Sequence, residues 1–187
     1  MNNVTKRYLL KFDEINRLND ELKKELPKSF EELKNEVTEY MIDAFLEGYA
    51  AVGYMLTDEI KRQPDMLSVM DILFAKIAGK TMFERLGAYY NAKDTDGIRA
   101  VLETEFHRMY VNGELKRASD MGEALQKRWV TVLDNRRRPT HRYLEGMTVG
   151  LSDEFFTFDG DHAEAPGLFE KAENNVGCRC ILEIIRN

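Results

Sequence analysis

Trp129-Val130-Thr131-Val132-Leu133 divides this chain into two textures. The five residues are apolar or β-branched with no helical stripe, and such side chains fit a pleated surface better than a helix. Everything upstream is patterned as helix. Downstream come short extended runs, Met147 to Val149, Phe155 to Phe158 and Cys180 to Ile185. Gly146, Gly150, Gly160, Pro166 and Gly167 punctuate them as turns. The pattern predicts an α+β protein: a helical N-terminal region over residues 1–93, then a domain over 94–187 in which helices pack on a short, largely antiparallel sheet.

Working upstream, Ile98, Val101, Leu102, Phe106 and Tyr110 mark one face of a helix, with N-cap candidates in Asp94-Thr95-Asp96-Gly97 before it. Helical structure is expected to continue to about Arg128, with breaks near Gly113 or Gly122. Earlier helices are read at Thr81 to Asn91 and Met66 to Ile77. Another runs from a Ser29/Glu32 capping box through Leu33, Val37, Met41, Phe45 and Val52 to about Met55. The first helix carries Tyr8, Phe12, Ile15, Leu18 and Leu22 and is stopped by Pro27. Trp129 is expected to anchor the packing of sheet on helix.

The chain has 187 residues, 43% hydrophobic and 32% charged, which suits a globular fold and excludes a disordered or fibrous one. No apolar run approaches the roughly 18–20 residues of a membrane span. Met1 to Arg7 lack the apolar stretch of a secretory leader, so the expected setting is a cell interior or a particle assembled there. A net charge of −6 argues against nucleic-acid binding by the whole surface.

Positive charge is nonetheless concentrated in one place. Lys127, Arg128, Arg137 and Arg142 are candidate phosphate contacts, because guanidinium forks match phosphate oxygens and a basic loop can grip a DNA backbone without reading sequence. Arg136 and Arg138 are read instead as internal partners of carboxylates such as Asp134 or Glu105. His141, Cys178 and Cys180, with Asp134 or His162 as a fourth group, form a candidate structural zinc set. The competing reading packs both cysteines as small apolar groups and bonds His141 to a carboxylate. A Cys178–Cys180 disulfide is not expected, since Cys-x-Cys spacing on a strand sits at the upper limit of bridge geometry. Glu105, His141 and Asp134 could be drawn as an acid–base group. No nucleophile elbow, phosphate loop, dinucleotide fingerprint or zinc-protease helix is present.

In chain order, Lys127-x-Trp129, Asp134-x-Arg136-x-Arg138-x-x-His141, Gly146, Phe155 or Phe156, Gly160, Pro166-Gly167 and Gly177-Cys178-Arg179-Cys180 resemble the C-terminal domain of the phage Mu F-like head morphogenesis family. With Thr104-Glu105 upstream, the resemblance covers roughly residues 96–182. It marks Glu105, Trp129, Asp134, Arg136, Arg138, His141 and Arg179 as motif residues. It implies a non-enzymatic minor head protein of a tailed phage or prophage; no cofactor is expected apart from the candidate structural zinc read from the residues above. Implied partners are the portal protein, other procapsid or scaffold proteins and non-specific DNA, with no membrane. Implied locations are the phage head and, during assembly, the bacterial cytoplasm. Relatives often have a small residue where this chain has Arg137, so its loop is more basic. The alternative is a metal-dependent nuclease-like or toxin-type effector domain, since Mu F-like domains also occur fused to effectors.

Overall fold

The computed structural model describes residues 13, 16–22, 24–27, 29–56, 63–77, 79–132 and 135–186. The expected first helix lies partly outside them: residues 16–22 are helical, while Tyr8, Phe12 and Ile15 are not among the described residues. Asp134 and Leu133 also lie outside them.

Helix α1 spans Phe30–Leu56. Its start carries the expected capping box: Glu32 N–H donates to Ser29 Oγ at 3.2 Å, and Ser29 N–H donates to Glu32 Oε2 at 3.3 Å. Helix α2 (Met66–Phe74) begins at an Asp65 cap and stops short of the expected Ile77, which pairs with Lys80 in a single bridge. Helix α3 (Met82–Ala92) is opened by a second capping box between Thr81 and Glu84. It closes on Lys93 in the left-handed conformation. Asp94 then caps helix α4 (Thr95–Asp120) by accepting from Gly97 N–H.

Helix α4 is the axis of the molecule. Every residue from Glu105 to Val111 is buried, so protein covers it on all sides. Against α1 the two backbones nearly touch: a Cβ at Gly48 would stand 1.9 Å from Tyr110 O, and one at Gly113 would stand 2.1 Å from Phe45 O. Only glycine permits that approach. The interface carries the larger apolar cluster, including Met41, Phe45, Leu102, Phe106 and Tyr110.

The helix ends at Asp120, eight residues before the expected limit. Gly122 turns the chain at φ +65°, and strand β1 begins at Leu125 (Leu125–Val130). Burial alternates along β1, with Leu125, Lys127 and Trp129 facing inward. A lysine and two arginine-flanked positions disguised that alternation as a charged helix end. The loop after β1 holds a short helix α5 (Pro139–Leu144), with Pro139 at its first turn. Strand β2 (Thr148–Gly150) follows, then the hairpin of β3 (Phe155–Phe156) and β4 (His162–Ala163), the short helix α6 (Ala172–Asn175) and strand β5 (Ile181–Arg186). The main sheet has order β2-β1-β5, antiparallel throughout, with Trp129 opposite Leu182. Its inner face and the flanking loops bury a second apolar cluster, including Val52, Val111, Trp129, Leu144, Phe155 and Leu182. Among the described residues, no helix is long and apolar enough to cross a membrane.

Candidate functional site

Three of the predicted ligands meet. His141 comes from α5, and Cys178 and Cys180 lead into β5; all three are buried, and their ligand atoms lie within 4.8 Å of one another. His141 Nδ1 stands 3.7 Å from Cys178 Sγ and 3.3 Å from Cys180 Sγ. Both thiols are free. His141 Nε2 is buried and has no hydrogen-bond partner among the described residues.

Local structure explains the convergence. Pro139 starts α5 and directs His141 inward, where its ring stacks on Phe169 (centroids 5.5 Å apart) and meets the Trp129 ring edge-on at 5.7 Å. The chain before Cys178 is held by buried amides. Asn175 donates to Phe169 O and accepts from Phe169 N–H, while Asn174 donates to Asp161 Oδ2 at 2.6 Å and accepts from Thr140 Oγ1 at 3.1 Å. Asn174 thereby ties the cysteine loop to α5 and to the turn before β4. Gly177 turns at φ +66° to deliver Cys178.

Cys178 is held well below the ordinary thiol range, first by a hydrogen bond from Cys180 and then by His107 and His141, against the opposing effect of burial. Cys180, the donor in that pair, is pushed far up by the same bond and by burial. The Trp129 indole N–H makes no well-aligned hydrogen bond among the described residues, and its closeness to Cys180 opposes that rise.

His107 was not read from the sequence as part of this group. It is 1% exposed on α4 and lies close enough to Cys178 to help lower that thiol's pKa. Gly167 makes room for it, since a Cβ there would lie 2.5 Å from His107 Cδ2. The sequence signal was weak: a histidine among Glu105, Arg108 and Arg117 looks like part of a solvated face. His162, the proposed fourth group, instead pairs with Glu154 (3.2 Å) on the β3–β4 hairpin and leans on Phe156. It is outside the cluster.

Several basic residues are not placed as expected. Lys127 is fully buried in β1, with its Nζ 5.8 Å from the centre of the Phe155 ring and without a hydrogen-bond partner among the described residues. Burial lowers its pKa, and no phosphate can reach it. Arg128 is paired with Glu183 at 3.1 Å across the sheet. Arg137 is half-buried and donates to Thr131 Oγ1 (3.3 Å), while Arg142 is exposed as expected. Arg138 caps the cysteine loop by donating to Val176 O, and Arg136 is exposed. Glu105 is indeed a buried, ion-paired carboxylate, but its partners are Arg85 and Arg108 rather than Arg136 or Arg138. Arg108 also donates to Ile72 O at 2.8 Å, which ties α2 to α4.

Above the cluster lies a cleft of about 20 Å³, lined by Arg136, Arg137, Arg138, Arg179, Gly177 and His141 among others. The arrangement suits a closed structural centre, with aromatic rings on one side and arginines around its mouth.

Trp129, His141, Cys178 and Cys180 thus gather where the three-stranded sheet meets the long central helix. The phage Mu protein F like family matches residues 69–183, and the chain belongs to it. It is 34% identical over 86 residues to minor head protein GP7 of Bacillus phage SPP1, covering 45% of this chain and 28% of that protein. It is also 38% identical over 63 residues to the NAD(+)--arginine ADP-ribosyltransferase EFV of Enterococcus faecalis, covering 34% of this chain and 13% of that protein. The chain thus spans less than a third of the length of either relative. No solved structure matches it.

Proposed function

We propose that this protein is a structural, non-enzymatic minor head component that joins the phage procapsid by docking on the portal vertex. The observation that carries the reading is the 34% identity to a minor head protein, beside the family match over residues 69–183. The surface gives it support. Tyr143, Phe156 and Phe158 are exposed beside one another, Tyr143 and Phe158 in edge contact at 5.9 Å, and Arg142 is adjacent. Exposed aromatics with arginine are the composition of protein–protein contact sites. Arg136 and Arg142 are the exposed loop cations that would touch packaged DNA, through phosphates alone and with steep salt dependence.

The effector alternative draws on the second match, which covers a small part of that transferase. A working hydrolytic site needs an open ligand position and a cleft for substrate. The burial of His141, Cys178 and Cys180 favours the structural reading.

The test is co-expression with the portal and scaffold proteins of the same phage. Wild-type protein is expected in purified procapsids, and the Tyr143→Ala/Phe158→Ala double variant, folded by circular dichroism, is expected to be depleted. Procapsids lacking the wild-type protein would overturn the docking reading. Titration of duplex DNA at low and moderate salt, with Arg136→Ala/Arg142→Ala beside wild type, tests the DNA contact; equal binding, or none by either, removes it.

A further inference from the structure

We propose that His107, His141, Cys178 and Cys180 bind one zinc ion, which fastens α4 to α5 and to the start of β5. In a tetrahedral site with Zn–S of about 2.3 Å and Zn–N of about 2.0–2.1 Å, neighbouring sulfur and nitrogen ligands stand about 3.5 Å apart. The two sulfur–nitrogen separations at His141, 3.3 and 3.7 Å, bracket that edge. His107, buried against Gly167 and next to Cys178, is the candidate fourth ligand beside the three whose ligand atoms already converge. The donor set is two sulfurs and two imidazoles, the soft and borderline ligands that zinc takes in closed structural sites.

The surroundings fit a closed site. All four side chains are at most 5% exposed. Trp129 and Phe169 cover the His141 ring, and Asn174 and Asn175 hold the loop that carries the cysteines. Ligand orientation by such outer contacts is usual at metal centres. Zinc takes its sulfur ligands as thiolates, so binding releases protons and weakens as pH falls.

Protein purified from zinc-replete medium is expected to retain about one equivalent of zinc through gel filtration, and a chelator should lower its Tm. Cobalt(II) in place of zinc should give the strong ultraviolet charge-transfer absorption of thiolate ligation. His107→Gln, with its fold checked by near-ultraviolet circular dichroism, should keep that absorption and lose at least about tenfold in zinc affinity. Should Cys178→Ser fail to fold, the cobalt spectrum of the wild type still decides whether sulfur is a ligand. Metal-free protein that takes up no cobalt, with a Tm unmoved by zinc or chelator, would overturn the site. Unchanged affinity in His107→Gln would overturn the four-ligand assignment.

Discussion

Trp129→Ala removes the largest fully buried side chain of the second core. Aromatic side chains bury about 150–250 Å² each, and at roughly 25 cal/mol per Å² a tryptophan near the upper end represents about 6 kcal/mol. The unfolded chain already hides about a quarter of that area, and alanine keeps one methyl, which brings the loss to about 4 kcal/mol. Ring contacts with Phe155, Phe169 and His141, at 5.2, 5.4 and 5.7 Å, add to the loss, while partial collapse of the site reduces it. The expected cost is about 3–5 kcal/mol. Trp129→Phe should cost less than half as much. The assay is urea unfolding followed by far-ultraviolet circular dichroism, since Trp129 is the sole tryptophan and its fluorescence vanishes with it. The slope should stay constant, so that midpoints report stability. A loss below about 1 kcal/mol for alanine would mean the ring is not holding sheet to helix.

Lys127→Met should stabilise the protein by about 1 kcal/mol near neutral pH, because it removes a buried ammonium that lacks a hydrogen-bond partner and keeps the apolar stem. A lysine whose folded pKa is lowered disfavours the fold while protonated, so the gain should shrink as pH rises toward the unfolded value of about 10.4; a loss of stability would point to a counter-ion at Nζ. Glu114 is 1% exposed, and burial raises its pKa well above the carboxylate range. A raised folded pKa means its fit is best below the unfolded value of about 4.3 and is lost as pH rises through the folded one. Glu114→Gln should therefore gain stability at neutral pH and little near pH 4, and a gain independent of pH in urea titrations would contradict this. Gly167→Ala, at φ +84° and against His107, should cost about 1–3 kcal/mol by thermal melting, and a neutral result would mean that this turn adapts freely.

What could be read from the sequence followed from local rules. The Ser29/Glu32 box, the Asp94 cap and the stripe from Ile98 to Tyr110 each announce themselves within four residues, and each forms as expected. His141, Cys178 and Cys180 could be grouped because few other residues of that chemistry exist in the chain. Residues whose partners lie far away in sequence stayed hidden. Glu105 finds Arg85 across two helices, and His107 finds Cys178 across 71 positions, so neither pairing leaves a periodic trace. Lys127 misled for a different reason: its type signals solvent, while its place in the alternation of β1 turns it inward. The same charge disguise pushed the expected end of α4 past Gly122, where the left-handed turn stops it.

Strand β1 sits in the middle of its sheet, yet its long partner arrives late: Val130 pairs with Ile181 and Leu125 with Arg186. During synthesis the ribosome must deliver some fifty further residues before that edge is covered, and pairings so distant in the chain form slowly. Until then β1 is an open template for other nascent strands, with the Trp129 ring unshielded. The two cysteines reach His141 only as the last strand docks, so sheet closure and assembly of the sulfur–imidazole cluster are one event. A nascent chain stalled before Ile181 is therefore a candidate for chaperone capture, while one that gains six more residues past that point can seal itself.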